Sequence, residues 1–218
     1  MSHLAATEDR HSRLSNMLLT AVDVLTGALI FGLPFIMGGR EAWGHWFLIS
    51  VAFLLGATWA AYATIRGCRY KVSWFEMFFI AGLAIVAFQV QPHSPDTMQT
   101  FSDEYQRLLP AWTQTQTTTA ATDLGWSTLS LTPAETRHGW WIFLAYAVIT
   151  TVLFQRVRNQ KDCHRLLQSV AVVGVTMTGF ALFQWATSND RFFWFYEHPY
   201  TEPTVHLKGA FTNRNHFA

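Results

Sequence analysis

Residues 46–65 read WFLISVAFLLGATWAAYATI, twenty positions without one charged side chain. As an α-helix rising 1.5 Å per residue, the run is about 30 Å long, which matches the hydrocarbon core of a bilayer. A helix that is apolar all round has no face to offer water, so this stretch is read as a transmembrane span.

Further blocks of the same kind lie on both sides. Met17 to Met37 is interrupted only by Asp23 and by Pro34 near its far end, and Trp74 to Val90 carries Glu76 near its start. Gly139 to Phe154 and Leu166 to Trp185 complete the set. The third and fourth blocks are short, so they need interfacial anchoring or local thinning of the bilayer. Trp74, Trp140 and Trp141 stand where such anchors belong. In the fifth, Gly174, Gly179 and several threonines are expected to let helices pack closely in lipid. Charged residues make up 13% of the 218 and hydrophobic ones 50%, against roughly 25% charged in a soluble domain. The expected fold class is therefore an all-α integral membrane protein of about five transmembrane helices.

Cations in the connections set the expected orientation, because basic segments stay in the cytoplasm. Arg10 and Arg13 precede the first block; Arg66, Arg69 and Lys71 follow the second; Arg156, Arg158, Lys161 and Arg165 separate the fourth from the fifth. This arrangement predicts a cytoplasmic tail over 1–16, helices 1–3 within 17–90, a periplasmic loop over 91–138, helices 4–5 within 139–186 and a second periplasmic loop over 187–218. The first block is too long for a cleaved leader and no A-x-A site follows it, so it is read as an uncleaved signal anchor. Cys68 and Cys163 then both fall on the reducing side, as two free thiols without zinc or CxxC spacing. In the first outer loop a Thr/Gln-rich tract, Thr113 to Thr122, reads as a flexible connector, with a short surface helix near Ser102 to Leu109. The second opens on Phe192, Phe193, Trp194, Phe195 and Tyr196, aromatic residues suited to the headgroup level. The chain stops at Ala218 as though a sixth span were about to begin.

Signatures of soluble catalysis are missing: there is no P-loop, GxSxG elbow, HExxH or Asp-x-Asp pair, and no metal site is expected. A net charge of +1 argues against nucleic-acid binding. The polar group that stands out is KGAFTNRNH, Lys208 to His216. An arginine fork and a lysine point charge suit the oxygens of a diphosphate, so Arg214 and Lys208 are candidate binding residues, with the amides of Asn213 and Asn215 orienting sugar or phosphate. The plainer reading is a polar loop whose asparagines cap a following helix.

The ending GAFTNRNHFA, behind a Trp-Phe-Tyr-rich cluster that follows a transmembrane helix, together with LSLTPAETR before an earlier helix, resembles the membrane O-antigen ligase and O-antigen polymerase superfamily. That resemblance implies a multi-helix, metal-independent glycosyltransferase without cofactor, at the periplasmic face of the bacterial inner membrane. Its donor would be an undecaprenyl-diphosphate-linked glycan, and its acceptor a lipid such as lipid A core, or another glycan. Arg214, then Lys208, would steady the departing diphosphate, and His216 would act as general base toward the attacking hydroxyl. The family's long catalytic outer loop lies farther along than Ala218, so the chain corresponds to the front portion of such an enzyme.

The alternative is a non-catalytic membrane subunit of envelope polysaccharide assembly or export that binds lipid-linked glycan. A transporter is disfavoured, since apart from Asp23 and Pro34 the spans offer few polar or helix-breaking residues. Asp23, inside the first span, is expected to be hydrated or to find a Thr, Asn or Arg partner within the bundle. Glu76 is expected to pair with Arg69 or Lys71. His138, Arg137 and Arg40 are read as facing outward, by default at the membrane surface and alternatively in an acceptor groove.

Overall fold

The computed structural model describes residues 2–36, 41–94, 97, 100, 101, 128–187, 191, 193 and 194, with side chains from residue 10 onward. Among the described residues the helices are α1 Ser2–Phe35, α2 Ala42–Arg66, α3 Trp74–Val90, α4 Pro133–Arg156 and α5 Gln160–Ala186. Among the described residues there is no strand. Four helices among the described residues are long and apolar enough to cross a membrane: α1 from Arg10, α2, α4 and α5. The third block, expected to span as well, forms a helix of 17 residues, about 25 Å long, which is shorter than the hydrocarbon core.

The helices outrun their apolar blocks. α1 begins well before Met17, and α4 starts at Pro133 instead of Gly139. Its first residue explains the difference: proline lacks only an amide that the first turn would leave unbonded, and its φ already suits a helix. Ser130 and Thr136 hydroxyls lie 2.6 Å apart across this start, and Thr132 N–H donates to Ser130 Oγ at 3.3 Å. α4 thus takes in residues 133–138, about one and a half helical turns of the stretch expected as loop.

The chain divides into two units, Met1–Val72 with Ala145–Ala218, and Ser73–Leu144. In the first, α1 packs against α2 and α5. α1 and α2 form an antiparallel hairpin whose close approach depends on Gly32, where an added Cβ would sit 2.8 Å from the Phe47 ring. Gly56 has the same role toward Val148, again at 2.8 Å. α5 buries Val173, Met177, Ala181 and Gln184, positions that recur on one helical face, and Ile30, Phe35 and Phe180 pack on Val173 and Met177. Gly174 and Gly179 lie off that face, and a methyl added at either would meet nothing within 4 Å, so they are not the packing contacts anticipated from the sequence.

In the second unit α3 runs antiparallel to the first half of α4. Gly82 accepts the Phe143 ring at 2.8 Å from its missing Cβ, Trp140 Nε1 donates to Leu83 O at 3.0 Å, and Ser130 N–H reaches Gln89 O at 3.0 Å. Ser73 caps α3 by accepting from Phe75 N–H. Glu76, expected to form an ion pair, instead closes a capping box by accepting the Ser73 N–H, because the third helical position reaches its own N-cap more readily than a flexible cation. No residue of α3 is buried, and Trp74, Phe78 and Ile80 are largely exposed. In the first unit Val175, Leu54 and Leu182 are turned outward as well. Each unit thereby presents to its surroundings apolar surface that water would penalise and acyl chains would accept.

Charge inside this apolar frame is neutralised where Arg156 meets Asp23. Arg156 donates through Nε to Asp23 Oδ1 and through Nη2 to Oδ2, both at 2.9 Å, a planar two-bond pairing. Helix direction makes it possible. Side chains lean toward the N-terminus of their own helix, and α1 and α4 run oppositely, so Asp23 leans toward the basic end while Arg156 leans away from it. Each thereby covers part of the axial gap. Replacing Asp23 by Ala should lower stability in detergent by about 1.5–3 kcal/mol, the worth of hydrogen bonds to a charged group. Exchanging the two residues, Asp23→Arg with Arg156→Asp, should recover part of that loss; thermal unfolding that is equal for parent and Asp23→Ala would refute the pairing.

Candidate functional site

Lys208, Asn213, Arg214, Asn215 and His216 all lie outside the described residues, as do Thr113 to Thr122, Ser102 to Leu109 and Arg40. The structure describes the ground on either side of them: the basic end of the bundle, the segment LSLTPAETR, and the turn from which the C-terminal segment departs.

At the basic end the polar groups are committed to one another. Gln155, almost fully buried, accepts from Lys71 N–H at 3.2 Å and donates to Lys71 O at 2.6 Å, which ties the chain leaving α2 to the last turn of α4. Asn159 caps α5 by accepting the Asp162 N–H at 2.9 Å, while Asp162 accepts from Arg158 N–H at 3.4 Å and lies 3.6 Å from Arg156 Nη1. Arg156 thus stands between Asp23 and Asp162, and its fork is occupied by structure. With its carboxylates and guanidinium engaged in these bonds, the cluster serves as a clamp on α1, α4 and α5. The sequence anticipated a partner for Asp23 without identifying it; the Gln155 to Lys71 pairing had no signal, since a glutamine at a helix end gives no hint of its backbone partner.

LSLTPAETR, one of the two segments behind the family resemblance, starts α4. Thr128 Oγ1 donates to Ser130 O at 2.9 Å and Thr136 N–H to Thr132 O at 2.9 Å, so the serine and threonines wind the chain into the helix. This is a structural use of the segment, as the start of a helix.

The opposite end of α5 carries an aromatic cluster. Phe180 meets Phe35 edge-on at 5.6 Å, Phe193 at 5.5 Å and Trp194 at 6.2 Å, and Phe183 meets Trp194 at 5.7 Å. Trp194 Nε1 donates to both Thr187 O and Thr187 Oγ1 at 3.2 Å. Phe193 and Trp194 have φ of 51° and 66°, in the left-handed region that side chains with a Cβ enter at about 1–2 kcal/mol each. Ring packing and the indole hydrogen bonds offset this strain. The sequence pointed to an aromatic group at the membrane surface; its folding back onto α5 was not legible, because neither residue is a glycine or asparagine that would announce a reversal.

Compared with known proteins, the chain matches no family model, no curated protein and no solved structure.

A paired substitution tests the turn. Phe193→Gly and Phe193→Ala remove the same ring, but only glycine relieves the backbone, so the glycine variant should hold the end of α5 more firmly by about 1 kcal/mol. Amide hydrogen exchange at the end of α5 reads this; equal protection would mean that the turn is not left-handed.

Proposed function

We propose that this chain serves a membrane glycosyltransferase of the O-antigen ligase and polymerase type, which moves a glycan from an undecaprenyl-diphosphate carrier to a lipid or glycan acceptor at the periplasmic face of the bacterial inner membrane. The observation that carries the reading is the decapeptide GAFTNRNHFA, placed behind a membrane-length helix and an aromatic turn. The acceptor hydroxyl attacks the anomeric carbon, its proton passes to His216, and the bond from sugar to diphosphate breaks. Negative charge then grows on the leaving diphosphate, where Arg214 and Lys208 stabilise the transition state more than the ground state.

The topology supports such a placement. Lys71, after α2, and Gln155, at the end of α4, hydrogen-bond to each other, so both helices deliver the chain to the same end. The chain between them must therefore return to the far end before α4 begins. On this reading α3, which runs antiparallel to the first half of α4, makes the return as a fifth and short crossing anchored by Trp74. Five crossings with the basic end in the cytoplasm would carry the segment beyond α5 to the periplasm, the side on which the proposed reaction uses lipid-linked glycans.

In the full-length protein, Arg214→Ala should lower transfer from a polyprenyl-diphosphate glycan by about 100-fold or more while membrane insertion is kept. Arg214→Lys should restore only part, since a point charge replaces a planar fork. Transfer unchanged in Arg214→Ala would remove the residue from the mechanism.

A further inference from the structure

The turn at Phe193 and Trp194 joins two observations that the proposed chemistry leaves unused: a left-handed backbone at two bulky residues, and an indole N–H spent on Thr187 seven residues earlier. Left-handed conformations at residues of this size persist only where the surroundings over-determine them, and such constraints gather where geometry matters for function. Here the surroundings are named. Phe193 rests on Phe180 and against the Val173 and Met177 pair, and Trp194 is packed by Phe180 and Phe183 while its nitrogen reaches the residue that ends α5. A simple exit into solvent or headgroups would need none of this: the chain could leave α5 in the β or extended region without strain.

We infer that this turn is a latch, and that Trp194 and Thr187 are positioning residues which fix the point from which the segment bearing Lys208, Arg214 and His216 departs. The inference rests on the proposed role of that segment. Trp194 stands against the last two turns of α5, and α5 is in turn held by α1 through Phe35 and Phe180. A tether rooted on the bundle restricts the volume that a following segment can sample, which raises the effective concentration of its groups near the membrane surface. With the latch open, the same segment would hang from Ala186 by about eight more residues of free chain. A diphosphate head anchored in the bilayer by its lipid tail would then meet the cations less often.

The test separates the latch from the chemistry. In full-length protein with Cys68→Ser and Cys163→Ser, Thr204→Cys supplies one thiol between the latch and Lys208, and the protein is reconstituted in lipid nanodiscs. The rate of its reaction with a charged maleimide is compared among the parent, Trp194→Phe, Trp194→Ala and Thr187→Val, alongside glycan transfer and α-helical content. Opening the latch should raise the labelling rate by about fivefold or more in Trp194→Ala at unchanged helical content, with smaller rises in Trp194→Phe, which loses both indole hydrogen bonds but keeps a ring to pack, and in Thr187→Val, which loses one of the two bonds. In transfer, the variants should raise KM for the lipid-linked donor more than they lower kcat. Labelling within about twofold of the parent in Trp194→Ala and Thr187→Val overturns the latch, whatever transfer does. Altered labelling in a protein whose parent shows no transfer keeps the latch and overturns the glycosyltransferase reading; altered labelling with unchanged donor KM overturns the positioning role.

Discussion

An aspartate inside a helix long and apolar enough to cross a membrane is tolerable there only when its charge is answered where it stands, and Arg156 answers Asp23 by donating to both of its carboxylate oxygens. Insertion of a lone Asp at the centre of a span is unfavourable by about 2.5–3.5 kcal/mol, a sum that one fork of charged hydrogen bonds is able to offset. The pairing also sets register. Because each side chain leans toward its own N-terminus, only one axial offset of α1 against α4 brings the groups together, and the clamp at Asp162 and Asn159 then fixes where α5 begins.

Once that register is set, the remaining contacts follow the shape of the helices. Gly32, Gly56 and Gly82 each give a neighbouring side chain the space a methyl would fill, and they do so where the facing residue is Phe47, Val148 or Phe143. Lipid supplies no hydrophobic drive between helices, so such close approach, with the few polar ties of Gln155 and Trp140, is what holds the helices together. Apolar side chains spread over the outside, as on α3, form a surface that acyl chains would accept and water would penalise. The far end of α5 is built differently, with two strained aromatic residues held down by rings and an indole.

Hydropathy made the bundle legible and left its details unread. α3 runs over Trp74–Val90 as its apolar block suggested, because Ser73 caps one end and the polar Gln91 closes the other. α1 and α4 continue past their blocks, since water-facing turns keep helical hydrogen bonds without needing apolar side chains, and a reading by hydropathy sees only the lipid-facing part. Asp23 could be seen to need a partner, whereas the choice of Arg156 depends on helix order and tilt, which no local pattern encodes. Gly174 and Gly179 misled because small residues permit close packing without requiring it; the face that packs is set by Val173, Met177 and Ala181. Of the candidate site, the residues from Lys208 to His216 were legible as chemistry alone, and they lie outside the described residues.

Opposite ends of α5 must face opposite sides of the membrane, with the clamp inside and the latch outside, if the glycan carrier is to meet the C-terminal segment. Cys163, exposed at the basic end, and a cysteine introduced at Thr204 report on the two sides. In spheroplasts, an impermeant maleimide should modify the cysteine at position 204 and spare Cys163 until the membrane is opened. Modification of Cys163 in sealed spheroplasts, with position 204 protected, would contradict this arrangement.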